Sequence, residues 1–173
     1  KFSYKVFLGK NQSWKQTKRY YNSLLWDLDG DGFLDLVLDG GLDNSGEKDL
    51  PPVIHWGKKG NAFSSPFEKK PTILEPSIYG NLMQDAVVAD INNDDKDELI
   101  FLNSDPLNEK DIRNNYKAFS FSAYKFSGRN VSKPETLASY TSVNSYYLWL
   151  ARFAECDIGK DGDIDFVFES HGE

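Results

Sequence analysis

Between Trp26 and Leu38 the chain reads WDLDGDGFLDLVL, and four carboxylates, Asp27, Asp29, Asp31 and Asp35, fall within nine residues. Like charges this close repel one another, so the loop that holds them needs a counter-charge or strong hydrogen bonding before it can close. The acidic positions alternate, and Phe33 stands at the one alternate position without a side-chain oxygen. A hard cation such as calcium takes about six to eight oxygens at about 2.3–2.6 Å, and a tight loop can supply them from alternate residues. Gly30 and Gly32 lie between the acids, and glycine accepts the positive φ that wraps a backbone round an ion. Acidic glycine turns also occur without metal, so one such loop alone does not separate the two readings.

The motif returns twice. DINNDDKDELIF places Asp90, Asn92, Asp94, Lys96 and Glu98 at the same alternate positions, and DIGKDGDIDFVF places Asp157, Gly159, Asp161, Asp163 and Asp165 there. Asp90 follows Asp27 by 63 residues, and Asp157 follows Asp90 by 67. Apart from Glu155, each copy follows apolar or small residues (Leu24-Leu25-Trp26, Val87-Val88-Ala89, Ala154-Glu155-Cys156) and leads into three apolar ones (Leu36-Val37-Leu38, Leu99-Ile100-Phe101, Phe166-Val167-Phe168). Strand, acidic loop and strand recurring at a near-fixed period is the mark of a repeat architecture.

Composition sets the outer bounds. A chain of 173 residues can bury a sizeable core as one domain, and 39% hydrophobic with 27% charged residues is a soluble globular composition. No apolar run approaches the roughly 18 residues that cross a bilayer, so no membrane insertion is expected of this segment. No charged-then-apolar leader precedes the first strand, which carries no weight for a mature form or a fragment. A formal net charge of −7 argues against binding along a nucleic-acid backbone. Cys156, the single cysteine, excludes an intramolecular disulfide and reads as a buried small hydrophobe in an apolar strand.

Laid along the chain, the pattern predicts strands at 2–8 and 13–18 in a piece spanning 1–22, the end of a preceding unit. A first full unit covers 23–83: strand A at 23–27, the loop at 27–35, strand B at 35–39 and an irregular connection at 40–51. Strand C follows at 52–57, then a Lys58-Lys59-Gly60-Asn61 turn and a fourth strand near Ala62-Phe63. The second unit, 84–145, repeats the order with strands at 85–90, 98–103 and 117–126, a Ser-Gly-Arg-Asn turn, and a fourth strand from Val131. Residues 104–116 form its longest connection, with room for a helical turn. A third unit, 146–173, holds only strands A and B. Four antiparallel strands in some 65 residues describe a propeller blade. The fold class is therefore all-β, a β-propeller segment of four-stranded antiparallel blades. A three-blade ring closed by the two partial units would have a sterically tight channel, so the pattern is read as part of a larger propeller.

The D-x-D-G-D-G-x-x-D pattern followed by apolar strand residues resembles the FG-GAP and VCBS repeats, which build the β-propellers of integrin α-subunit heads and of many bacterial secreted proteins. WGKKGNAF, at the end of Val53 to Phe63, is similar to that family's strand, glycine turn and aromatic, and VFLGKNQSW at 6–14 looks like the same element of a preceding blade. The resemblance covers nearly the whole chain. It implies calcium in up to three loops, held by side-chain oxygens at loop positions one, three, five and nine and by the carbonyl at seven. Carried over, the ligands are Asp27, Asp29, Asp31, Asp35 and the Phe33 carbonyl; Asp90, Asn92, Asp94, Glu98 and the Lys96 carbonyl; and Asp157, Asp161 and Asp165. In the third copy Gly159 removes one ligand, and Asp163 or a water is the candidate replacement. The sites rank first, second, third.

EF-hand and dockerin loops share the opening D-x-D-x-D-G but require an acid at position twelve and flanking helices. Leu38, Phe101 and Phe168 occupy position twelve, and the flanks are strand-like. No catalytic residue is assigned. His55 reads as structural, His171 lies near the terminus, and no nucleophile elbow or phosphate-cradling loop is present. The expected function is an extracellular, cell-surface or periplasmic binding or adhesion module for a glycan or protein surface, part of a larger chain. Trp14, Tyr20, Tyr21, Tyr146, Tyr147 and Trp149 are its candidate contact aromatics, set against packing between blades. Asn-x-Ser sequons at Asn11 and Asn130 are compatible with secretion. The alternative, by resemblance only, is the propeller of a secreted polysaccharide lyase.

Overall fold

The computed structural model describes residues 18–20, 23–38, 41–43, 49–60, 65–78, 83–106, 116–141, 149–161 and 164–171. In chain order the strands are β1 (Lys18–Tyr20), β2 (Ser23–Trp26), β3 (Asp35–Leu38), β4 (Gly41–Asp43), β5 (Asp49–Leu50), β6 (Val53–His55), β7 (Thr72–Ile73) and β8 (Met83–Ala89). There follow β9 (Glu98–Pro106), β10 (Tyr116–Tyr124), β11 (Phe126–Ser127), β12 (Asn130–Val131), β13 (Glu135–Thr141), β14 (Trp149–Cys156) and β15 (Asp165–His171). The described residues contain no helix.

Two four-stranded antiparallel sheets carry the fold, ordered β2-β3-β6-β7 and β8-β9-β10-β13. β14 and β15 form a further antiparallel pair, β11 and β12 a small hairpin, and β1, β4 and β5 a three-stranded sheet. The described residues do not close into a ring. Each acidic loop joins two neighbouring antiparallel strands, and in each case the residue before the loop is the register partner of the loop's ninth residue: Trp26 with Asp35, Ala89 with Glu98, Cys156 with Asp165.

Two segments differ from the sequence expectation. The fourth strand of the first sheet is β7; a bridge between Gly57 and Phe67 prolongs the ladder beyond β6, with Lys58 N–H donating to the Pro66 carbonyl and Glu68 N–H to that of Trp56. Pro66 and Pro71 lack N–H donors, so pairing along this stretch is broken into short pieces. Ala62 and Phe63 lie outside the described residues. The connection at 40–51, expected to be irregular from its glycine and polar content, contains β4 and β5, and β4 pairs with β1. The expected strand at 2–8 and most of that at 13–18, and the 107–115 part of the long connection, also lie outside the described residues.

The second sheet is covered on both faces, and this explains the near-continuous apolar run of β9. Leu99, Phe101 and Tyr124 pack with Leu28, Val37, Ile54, Trp56 and Leu74 of the first sheet. Ile100, Leu102, Phe119, Phe121 and Ala123 form the opposite cluster, with Ile164 and Phe166 of the third strand pair against it. A strand wetted on one face would alternate apolar with polar; one buried on both faces does not. Fully burying side chains of this size is worth about 1.5–3 kcal/mol each. The buried Tyr124 hydroxyl keeps a partner by donating to the Glu75 carbonyl at 2.6 Å, which ties β10 to the end of the first sheet. Burial pushes the phenol well above its ordinary range.

Loop position four is left-handed in all three copies: Gly30 at φ 73°, Asn93 at 56° and Lys160 at 53°. Position six repeats this with Gly32 at 87° and Asp95 at 62°. Asn and Asp tolerate this region, whereas an ordinary side chain costs roughly 1–2 kcal/mol there. A Cβ at Gly30 would meet nothing within 4 Å, so Gly30→Ala is expected to lose about 1–2 kcal/mol through the backbone alone. Lys160→Gly should gain stability, by less than that because glycine's unfolded state is freer. Urea denaturation of both variants checks the pair of signs.

Candidate metal centre

Two hydrogen-bond patterns build every copy of the loop. The position-one carboxylate accepts from the N–H of position five: Asp27 from Asp31 at 3.0 Å, Asp90 from Asp94 at 3.2 Å, Asp157 from Asp161 at 3.2 Å. The position-nine carboxylate accepts from the N–H of position two: Asp35 from Leu28 at 2.9 Å, Glu98 from Ile91 at 3.2 Å, Asp165 from Ile158 at 2.8 Å. Position one thus folds the turn and position nine fastens it to the second strand.

The first loop is the most complete. Asp27 also accepts from Gly32 N–H at 2.9 Å, Asp29 from Asp31 N–H at 3.1 Å, and Asp31 from Phe33 N–H at 2.9 Å. Asp35 is fully buried, and its second oxygen accepts from Gly57 N–H at 2.6 Å. Burial pushes the Asp35 carboxyl up; the Gly57 and Leu28 N–H groups oppose this, and Asp29 and Asp31 add to it. One carboxylate oxygen from each of Asp27, Asp29 and Asp35 lies within 4.8 Å of the others. Oxygens sharing one calcium at about 2.4 Å lie at most about 4.8 Å apart, so this hard, all-oxygen set fits such an ion. Asp31 stands apart from the trio, its Oδ2 taken by Arg129 Nη2 at 2.9 Å.

Among the described residues no second trio of acidic, His or Cys ligand atoms reaches this spacing. In the second loop the buried Glu98 accepts from Asn92 Nδ2 at 3.2 Å. Turning the amide would set two acceptors together, an arrangement that needs a cation between them. Burial pushes Glu98 up, against the Ile91 N–H, with Asp94 adding to the rise. Lys96, placed as a carbonyl ligand, donates its N–H to Asp94 at 3.1 Å and brings its ammonium to 4.0 Å from the same carboxylate. In the third loop Asp165 is half-buried, Asp157 and Asp161 are exposed, and Asp163 lies outside the described residues.

Sequence reasoning missed Arg129 and Gly57. Arg129, in the turn between β11 and β12, reaches across to the first loop, with Nε 2.7 Å from Asp29 Oδ2. The same guanidinium donates to Glu68 at 2.7 Å and to the Gly57 carbonyl at 3.1 Å and lies 5.7 Å from the Trp56 ring. A Cβ on Gly57 would sit 2.5 Å from the Leu34 carbonyl oxygen, so this close passage under the loop requires glycine. The only sequence signal was Gly57 in WGKKG. A second cross-link joins neighbouring loops, where Trp26 Nε1 donates to Asp97 at 2.9 Å.

His55 has its Nδ1 3.0 Å from the Glu68 carbonyl. Cys156 is half-buried rather than buried; its Sγ is 3.8 Å from the Asp165 carbonyl. Trp14, Tyr21, Tyr146 and Tyr147 lie outside the described residues, as do the side chains of Tyr20, Trp149 and His171. Comparisons of the chain with protein-family models, with curated proteins and with solved structures find no match.

Asp35→Ala strands two buried N–H groups and is expected to cost about 1–3 kcal/mol for each. Gly57→Ala, forced against backbone, should cost about 1–3 kcal/mol. Chemical denaturation of each variant in chelator reads these losses free of any bound metal.

Proposed function

We propose that this chain is a segment of a calcium-stabilised β-propeller of the FG-GAP/VCBS kind, in which each four-stranded sheet is one blade. The observation that carries this reading is the trio Asp27, Asp29 and Asp35, gathered within 4.8 Å on a loop between adjacent strands. The same strand-loop-strand unit and its two hydrogen-bond patterns recur at Asp90 and Asp157. Calcium supplies the positive charge that clustered carboxylates need where the hairpin closes, and it performs no chemistry. Asp27, Asp29 and Asp35 would hold it in the first loop. Asp90, Asp94 and Glu98, with Asn92 turned, are the weaker second set, and the third lacks a side-chain ligand at Gly159.

The propeller serves as a non-catalytic module that binds a glycan or protein surface outside the cell, at its surface or in the periplasm. Loops without an acid at position twelve suit the weak affinities of extracellular calcium modules.

Binding only the folded state stabilises it by about 2.7 kcal/mol per site at a hundredfold excess over the dissociation constant. Chelator is therefore expected to lower the melting temperature and calcium to restore it, with Asp29→Ala costing more of that response than Asn92→Ala. Calorimetric titration with melting curves in both conditions tests this; identical curves with no bound metal would leave the loops as acidic turns. The ligand-binding reading is tested separately, by glycan and protein capture on the purified parent protein. Calcium-dependent cleavage of an acidic polysaccharide, lost on substitution outside the loops, would replace it with the lyase.

A further inference from the structure

Loop by loop, the chain distributes cations unevenly. The second and third loops carry Lys96 and Lys160 within their own sequence, whereas DLDGDGFLD carries none. The first loop instead meets Arg129, 100 residues beyond Asp29 in the chain. One guanidinium spans Asp29 at 2.7 Å, Asp31 at 2.9 Å and Glu68 at 2.7 Å, and the Asp29 side chain is only 4% exposed. Charge-assisted bonds of this length to a largely buried carboxylate are the strong kind, and arginine's planar fork can hold two acids at once. The guanidinium thus holds one member of the Asp27-Asp29-Asp35 trio, Asp29, together with Asp31, the expected ligand at position five that lies outside it.

We propose that Arg129 is the built-in counter-cation of the first loop, and that a divalent cation entering this loop competes with its guanidinium for Asp29 and Asp31. The proposal rests on the metal reading above but makes a distinct claim: the neighbouring sheet holds the best acidic loop together without metal, at the expense of its affinity for metal. Occupancy of the loop by an ion then loosens a cross-sheet clamp, so metal binding is coupled to the contact between the first sheet and the β11–β12 turn.

The test compares the whole chain with Arg129→Met and Arg129→Lys, using calcium chloride alone as probe. Arg129→Met is expected to lower the melting temperature by several degrees in chelator and by clearly less in saturating calcium. Its calorimetric calcium affinity should rise at least threefold, with Arg129→Lys in between. In an Asp31→Asn background, which keeps the Asp27-Asp29-Asp35 trio, the Arg129→Met change should raise calcium affinity by less than in the parent chain. A merely structural clamp predicts equal melting losses in both conditions and an unchanged or weakened affinity, and that result would overturn the proposal. Calcium binding by Arg129→Met but not by the parent chain would remove the metal reading for the native first loop and sustain the competition. Binding by neither would sink both.

Discussion

The carboxylate at position nine of each loop is the contact on which the rest depends. It is the first residue of the second strand, so its side chain would ordinarily do no more than alternate with its neighbours. Here it turns back to accept the N–H of position two, which pins the two strand ends in one register. Slipping that register by one residue would turn every apolar side chain of the strand to the wrong face. Burying a charge without partners would be prohibitive. Asp35 answers this with Leu28 and Gly57 N–H, and the second of these joins the loop to the end of strand β6 across the sheet. The burial that raises the Asp35 and Glu98 carboxyls is thus the cost of a register lock.

Much of this is legible in the residues themselves. Alternating carboxylates with glycines between apolar triplets specify strand, tight loop and strand, and the strands stand within a few residues of expectation at Ser23–Trp26, Asp35–Leu38 and Glu98–Pro106. Local chemistry dominates there. The missed features are non-local or lack periodicity. β4 and β5 have two or three residues each, with glycine and aspartate among them, and are strands because β1 offers an edge. β7 is a two-residue strand among prolines. Arg129 reads in sequence as an ordinary turn residue, since nothing local records that its partners lie 98 and 100 positions away.

The two kinds of cohesion are separated in space. Apolar packing runs along the strand faces, where Phe101, Ile100 and their neighbours are fully buried from both sides of the second sheet. Electrostatic contacts gather at the loop end, where Trp26 meets Asp97 and Arg129 meets Asp29, Asp31 and Glu68. Where packed sheets contact only their neighbours, stability is roughly a sum of sheet and interface terms. The faces contribute an interface term that no ion touches. The loop ends contribute one set by the Arg129 guanidinium and the N–H groups that balance the carboxylates. The charged contacts between neighbouring elements therefore lie at the loop rim, while the apolar faces hold the sheets against one another.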